Sequence, residues 1–396
     1  MRASLYVHIP FCRRKCGYCD FFSVACPDGP DDDYVRSVIK EARVYASFYG
    51  ISEWDTVYVG GGTPNLLSPA QISDLLSGIK TAAPLSKSAE VTFEMNPDGV
   101  SGEFLDSCRK NGVTRLSMGV QALDDEALAA AGRSSSVRAI EGALSLLDRD
   151  WKGRLSVDFI AGLPAHSRGS FERQFELLEE HPGIDHVSLY TLALEEGTPL
   201  WREVADGVIG FSSERADSMW LRGRDILERL GFYHYEVSNF SRKGFESRHN
   251  IAYWRQENYI GVGAGASGTV YDFAEKKAGR WTNGTSLPAY IDGVEAAFES
   301  RSVSPFVRDV EVLDEGILEF EFLMLGLRCL DGVSSFDYES RFGKPLSERL
   351  GEYDGVFSKW RGMGLADVRE MPGGDKVYSL GRRGILLLNR FLEELP

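Results

Sequence analysis

The first ~195 residues alternate short β-rich runs with amphipathic helical patterns, and that alternation constrains the fold more than any other feature of the chain. The strand candidates are residues 4–9 (SLYVHI), 56–60 (TVYVG), 90–95 (EVTFEM), 115–120 (RLSMGV), 155–160 (LSVDFI) and 186–192 (HVSLYTL). Helical runs lie between them at 33–47, from 69 onward, and at 102–110, 136–147 and 170–180. Ser68 is placed to cap the second helix with Pro69 at its first position, and Asn111-Gly112 to stop the third. Strand–helix–strand repeats fold back as right-handed crossovers onto a parallel sheet. Six strands suit an α/β fold built as an open, partial (β/α)6 barrel better than a closed barrel of eight.

In parallel α/β architectures the chemistry sits where strands end. The first run leads into the cysteine loop HIPFCRRKCGYCDFF, the second into Gly60-Gly61-Gly62-Thr63-Pro64. The third ends with Glu94 and Asn96-Pro97, and the fourth with Gly119-Val120-Gln121. The fifth carries Asp158 before Gly162-Leu163-Pro164, and the sixth ends Tyr190-Thr191-Leu192. All six ends would face one cleft with the cysteines at its mouth.

Cys12, Cys16 and Cys19 have the spacing C-x3-C-x2-C. Three thiolates on one short loop can hold three irons of a cubic iron–sulfur cluster and leave the fourth open to a small molecule. The alternative is a zinc knuckle with His8 as fourth ligand, although structural zinc sites more often pair two C-x2-C units. Cys26, Cys108 and Cys329 are scattered and read as small buried residues or free thiols. A disulfide framework does not suit 396 residues without a signal-length apolar run at the start. No stretch reaches transmembrane length. A reducing, cytoplasmic compartment is expected.

With 43% hydrophobic residues the chain can bury a large core, enough for two or three domains. A formal charge of -15 argues against nucleic acid as a partner, because phosphates call for a basic footprint. Beyond the alternating region a helix is expected at 213–230, stopped by Gly231, then a strand at 233–238 and a loop-rich stretch containing SRHNIAYWRQENYIGVGAGASG. The C-terminal part suggests a helix at 311–327, a hairpin of 364–368 with 376–380 around Pro372-Gly373-Gly374, and a last helix at 384–395. That order points to a small winged-helix-like domain. The division expected is 1–240 for the barrel core, 241–305 for a loop-rich extension and 306–396 for the C-terminal domain.

The GGGT turn is neither a P-loop, since no Gly-Lys-Ser/Thr follows, nor a G-x-G-x-x-G dinucleotide fingerprint. Its exposed peptide groups suit a ligand with an ammonium and a carboxylate. Glu94, Gln121, Arg133 and Asp158 taken singly read as solvated or paired loop residues. Around one cleft they would bind an ammonium, a carboxylate (Arg133, by a bidentate pair) and a ribose diol (Asp158). His249-Asn250 with Tyr253-Trp254 suits a flat aromatic ligand or a heme iron; it equally suits a structural histidine among core aromatics.

The HIPFC-x3-C-x-YC loop resembles the cluster loop of radical S-adenosylmethionine (SAM) proteins. More narrowly, the chain resembles the family that contains oxygen-independent coproporphyrinogen III oxidases and heme chaperones. GGGTP, FEMNP, SMGVQ, Gly132-Arg133, VDFIAGLP, LYTLALEEGTPL, YEVSNF, HN-x2-YW and GVGAGA recur in that order over essentially the whole chain. The resemblance implies a [4Fe-4S] cluster on Cys12, Cys16 and Cys19, with SAM on the open iron and able to yield a deoxyadenosyl radical. Matching positions nominate Tyr6, Tyr18, Gly61, Gly62, Thr63, Glu94, Gln121, Arg133, Asp158, Leu192 and Ser267 for SAM, and His249 for heme. Where the oxidases carry a further cysteine, two positions after the third ligand, this chain has Phe21. Where the family often reads Gly-Arg-x-His, Ser135 takes the histidine's place. Phe21 and HN-x2-YW tilt the implied function to a heme chaperone. Its partners would be a hemoprotein acceptor of the respiratory chain, a one-electron donor and, transiently, a membrane protein. The alternative is a coproporphyrinogen III dehydrogenase that converts two propionates to vinyl groups. A third class, an RNA modifier, sits poorly with the negative charge.

Overall fold

A computed structural model describes residues 1–300 and 307–395. The six expected strands are β1 (Arg2–Ile9), β2 (Glu53–Gly61), β3 (Leu85–Met95), β4 (Arg115–Gln121), β5 (Arg154–Ala161) and β6 (His186–Thr191). They pair in that order, all parallel, with Tyr6 beside Tyr58, Glu94 beside Ser117 and Asp158 beside Ser188. Helices α1 (Asp32–Phe48), α2 (Pro69–Ala82), α3 (Gly102–Lys110) and α4 (Val137–Asp150) connect them. Ser68 and Gln71 form a reciprocal capping box on α2, and Gly112 takes the left-handed conformation after α3. The helix expected at 170–180 is broken into Arg168–Arg173, a 3-10 turn at Gln174–Glu176, and Leu177–Glu180. Phe171, Gln174, Phe175 and Leu178 are buried at the spacing of one helical face, so the expected pattern is present and it is the backbone that is interrupted by the 3-10 turn.

Next comes α5 (Ser213–Arg229). The strand expected at 233–238 is instead a hairpin, β7 (Tyr233–Glu236) and β8 (Asn239–Ser241), added antiparallel beyond β6. The Glu236 carboxylate accepts the Ser238 N–H at 3.1 Å and holds the turn.

The loop-rich expectation for 241–305 needs correction. This stretch contains α6 (Arg248–Trp254), β9 (Tyr259–Val262), β10 (Ser267–Asp272), β11 (Lys277–Asn283) and α7 (Leu287–Ser300). β9 pairs parallel with the other side of β1; β10, β11 and β12 (Val307–Leu313) follow antiparallel. Among the described residues the sheet therefore has twelve strands, in the order β12-β11-β10-β9-β1-β2-β3-β4-β5-β6-β8-β7. Glycine here marks close approach. A Cβ on Gly261 would lie 2.0 Å from the Ser267 carbonyl oxygen. The boundary placed at 305/306 lies outside the described residues.

The helix expected from 311 starts later, as α8 (Glu315–Gly326), because 311–313 finish β12 and Asp314 caps the helix by accepting the Ile317 N–H at 3.0 Å. The chain continues through β13 (Val333–Ser334), α9 (Ser335–Phe342), α10 (Leu346–Leu350), α11 (Val356–Gly362), β14 (Ala366–Glu370), β15 (Lys376–Leu380), a 3-10 turn at Ile385–Leu387 and α12 (Leu388–Glu394). The three-stranded sheet β13-β15-β14 with its helices is the winged-helix-like unit expected. It has its own core around Leu318, Tyr338, Phe357, Trp360 and Phe391, apart from the barrel's. Among the described residues no helix is long and apolar enough to cross a membrane.

Candidate functional site

The cysteine loop is stapled at its base and seated at its crown. Phe11–Cys12 pairs with Val24–Ala25, and the Cys26 N–H donates to the Cys12 carbonyl at 2.7 Å. At the crown the Gly17 N–H donates to the Ala131 carbonyl at 3.0 Å, and the Leu200 N–H to the Gly17 carbonyl at 2.8 Å. Gly132 can lie there only as glycine: its φ is +72°, and a Cβ would sit 2.9 Å from the Gly17 nitrogen. The Cys12, Cys16 and Cys19 side chains all line one cleft of about 390 Å³ at the C-terminal ends of the parallel strands. Cys26 turns its Sγ to the Gly29 carbonyl at 2.9 Å, so it stays out of that cleft. Burial raises the Cys12 and Cys19 thiols above their usual pKa. Cys108 and Cys329 are pushed up to about 12 by burial, as befits unreactive packing residues.

The zinc alternative does not match this geometry. His8 spends both ring nitrogens inside the protein, Nδ1 on the Tyr6 hydroxyl at 2.9 Å and Nε2 on the Phe22 carbonyl at 3.0 Å. Among the described residues no three of His, Cys, Asp and Glu converge closely enough for a single ion. A cubic cluster, by contrast, spreads its thiolates across separate corners.

The strand ends do converge. Gly61 takes φ +112° and donates its N–H to Glu94 Oε2 at 3.1 Å, while Tyr58 donates its hydroxyl to Glu94 Oε1 at 2.6 Å. The Gly62 and Thr63 N–H groups donate to the Ile9 and Phe11 carbonyls at 2.9 and 2.7 Å, binding the glycine turn to the cysteine loop. Arg133 donates through Nη2 to the Gly119 carbonyl at 2.6 Å and to Asn96 Oδ1 at 3.2 Å. Its Nη1 lies 3.9 Å from the Cys16 sulfur, and its Nε is buried with no partner among the described residues. Gln121 ends β4 at φ +66°, a backbone strain that aims its side chain into the cleft. Burial raises the Glu94 and Asp158 carboxyls, partly offset by the Tyr58 hydroxyl at Glu94 and the Ser188 hydroxyl at Asp158.

Nine of the residues nominated for SAM thus line the cleft: Tyr18, Gly61, Gly62, Thr63, Glu94, Gln121, Arg133, Asp158 and Leu192. Tyr6 and Ser267 do not. Tyr6 lies beneath it, its hydroxyl on His8, and Ser267 bonds its hydroxyl to Thr282 Oγ1 at 2.8 Å. Sequence reasoning passed over Asn96 as a site residue. Its Nδ2 donates to Thr63 Oγ1 at 3.2 Å while its Oδ1 takes Arg133, so it latches two site residues together. An asparagine before proline at a strand end was the available signal.

His249, nominated as a heme contact, also lies away from the cleft. The side chain is buried in α6, with Nδ1 on Thr56 Oγ1 at 2.6 Å and Nε2 on the Tyr253 hydroxyl at 2.8 Å. The ring stacks on Tyr58 at 5.0 Å. Burial, with Arg115 nearby, lowers its pKa to about 3. Both ring nitrogens are thus engaged within the protein.

Comparison with known proteins adds the following. The Radical SAM superfamily profile matches residues 6–178, and the HemN C-terminal domain profile matches 318–365. The chain is 36% identical over 389 residues to "Radical S-adenosyl methionine domain-containing protein 1, mitochondrial" of Bos taurus, covering 92% of this chain and 86% of that one. It is 34% identical over 350 residues to "Heme chaperone HemW" of Lactococcus lactis, covering 88% and 87%. Against "Heme chaperone HemW" of Bacillus subtilis it is 30% identical over 399 residues, 99% and 100% covered. Among solved structures it matches coproporphyrinogen III oxidase (HemN) of Escherichia coli with a TM-score of 0.81 at 21% identity, covering 99% of this chain and 89% of that one, which is a likeness of fold.

Proposed function

The chain belongs to the radical SAM superfamily and, within it, to the family of the heme chaperone HemW, and from that premise we propose that it binds a [4Fe-4S] cluster, SAM and heme and delivers heme to a hemoprotein of the respiratory chain. The observation that carries this reading is the identity of 30–34% to HemW relatives over nearly full length. Phe21 supports it: the residue where the oxidases have a cysteine is a phenylalanine 65% exposed at the cleft. The coproporphyrinogen oxidase alternative is not favoured.

The residues present fit the cofactors. Three thiols on one stapled loop line one cleft and no fourth joins them there, which suits three ligated irons and one open. When bound and reduced, the cluster would supply the electron for any cleavage of SAM. In this reading Cys12, Cys16 and Cys19 hold the cluster. Glu94 takes the SAM ammonium beside the turn of Gly61, Gly62 and Thr63, Arg133 the carboxylate, and Asp158 the ribose diol. Tyr18, Gln121 and Leu192 complete the walls. Arg133 is pre-aimed by Gly119 and Asn96, so little side-chain freedom is lost on binding.

Arg13, Arg14 and Lys15 are exposed on the cluster loop of a chain whose net charge is -15. A one-electron donor with an acidic face is the partner they suit. A reducing compartment, the cytoplasm, and transient contact with a membrane-borne acceptor follow from the same reading. The test is an anaerobic heme titration of reconstituted protein. We expect a Soret band that saturates at a fixed stoichiometry. No such band, or conversion of coproporphyrinogen III to protoporphyrinogen IX with SAM and a reductant, overturns the proposal.

A further inference from the structure

The cluster cleft is smaller than its neighbour. A second cleft of about 720 Å³ opens between the end of β6, helix α5 and the segment 385–390 that leads into α12. Tyr190 and Thr191 line both, so the two clefts share a wall. The barrel side of the second cleft presents Trp220, Leu221 and Val237; the C-terminal side presents Leu386, Leu387 and Leu388. Trp220 is fixed by donating Nε1–H to the Leu189 carbonyl at 2.7 Å. Leu386 and Leu387 are 43% and 41% exposed, although they stand opposite a buried tryptophan. A hollow of this size, with tryptophan and leucine walls facing each other and polar side chains such as Thr191, Ser238, Arg328 and Asn389 between them, has the character of a ligand site.

Its cation is unusual. Arg328 lines the cleft with its guanidinium stacked 4.7 Å above Trp254, the last residue of α6. It makes no ion pair among the described residues, and its Nε is buried without a hydrogen-bond partner. The Glu236 carboxylate feels the charge of Arg328, but it is engaged by the Ser238 N–H and Asn239. Arg390 stands at the rim, 3.4 Å from Glu394 and 69% exposed in its side chain. Asp217 is the one acidic residue on the lip. A positioned guanidinium beside apolar walls calls for a large apolar ligand that carries carboxylates. Among the described residues no histidine, cysteine or methionine lines the cleft, and its one tyrosine, Tyr190, stands in the wall shared with the first cleft.

We propose that this second cleft binds a tetrapyrrole dicarboxylate, gripping the macrocycle through apolar contact and a carboxylate through Arg328, and not through the metal. The proposal rests on the heme-binding reading above and gives that reading a place. A ligand so held would have its edge at Tyr190 and Thr191, against the SAM cleft. Its iron would stay open to the ligands of an acceptor.

The experiment compares heme, iron-free protoporphyrin IX and protoporphyrin IX dimethyl ester on the anaerobically reconstituted full chain, by absorbance and fluorescence titration. Protoporphyrin IX should bind within a few-fold of heme and the ester about tenfold more weakly, the scale of one lost charge-assisted hydrogen bond. Arg328→Gln should weaken the two free acids by about tenfold and leave the ester unchanged. Leu387→Asp, at a half-exposed position, should weaken all three while cluster absorbance and circular dichroism stay as in the wild type. If heme binds but protoporphyrin IX does not, or if both variants bind heme normally, the site is elsewhere and the chaperone reading survives. If none of the three binds the wild type, both fall together.

Discussion

Gly62 has no room for a side chain. A Cβ there would meet the Phe11 carbonyl oxygen at 2.7 Å and the Ile9 carbonyl oxygen at 2.9 Å, both backbone atoms of the cysteine loop. Gly62→Ala should therefore push the glycine turn off the loop, at a cost of about 1–3 kcal/mol. Lower melting temperature and lower iron content after reconstitution would register it. Gly142→Ala in α4 meets nothing within 4 Å and should be neutral or slightly stabilising, which serves as the control. His249 makes the opposite point. Histidine among aromatics has the same composition in a ligand loop and in a packed core. The partner that decides, Thr56, lies 193 residues away in sequence. The cysteines were legible because spacing alone determines whether one loop can present three sulfurs. His249 was not, because its role depends on tertiary neighbours. Its folded pKa, near 3, lies below the ordinary value of about 6.5. Between those values the unfolded chain binds a proton that the folded chain refuses. Its contribution to stability is full above about pH 6.5 and is lost as pH falls toward 3. His249→Gln should lower the melting temperature at neutral pH, and the gap from wild type should narrow as pH falls through that window. Heme stoichiometry should not change.

At the scale of elements, the barrel strands and the capped helices were readable and the extension beyond β1 was not. A strand such as β9 spans only four residues and is buried nearly throughout, so it offers no two-residue alternation to detect. Glycines around it suggested loop, where in fact they permit backbone-to-backbone contact. Pairing with β1 on one side and β10 on the other makes β9 a strand. The far end of the same extension carries a liability. β12 is the outermost strand of the sheet among the described residues, and its Val310 and Val312 are 75% and 70% exposed. An edge strand with bare valines invites pairing with another chain. Val310→Lys should reduce light scattering during refolding while changing stability by no more than about 0.5 kcal/mol. Equal scattering from both proteins would show that this edge is not the sticky one.

For the whole molecule, charge and chain topology matter most. Against a background of -15, the exposed Arg13, Arg14 and Lys15 concentrate positive charge on the cluster loop. Arg13→Glu with Arg14→Glu should slow cluster reduction by an acidic protein donor severalfold at low ionic strength. The difference should shrink in salt, and an uncharged small-molecule reductant, which needs no docking, should reduce both proteins alike. Stopped-flow bleaching of the cluster would measure it. The architecture was legible at this scale because alternation and strand ends are properties of the whole pattern. How the C-terminal unit attaches was not, since it depends on single contacts such as the Leu330 N–H on the Tyr235 carbonyl at 3.0 Å. Topology also sets an order of events during synthesis. β1 gains β2 as a neighbour early, but its other flank, residues 4–7, pairs with 259–262. On the ribosome, the strand that feeds the cysteine loop stays open on that side until about two-thirds of the chain has been made. The interval leaves the three thiols reachable by whatever machinery delivers iron and sulfide, before the sheet closes behind them.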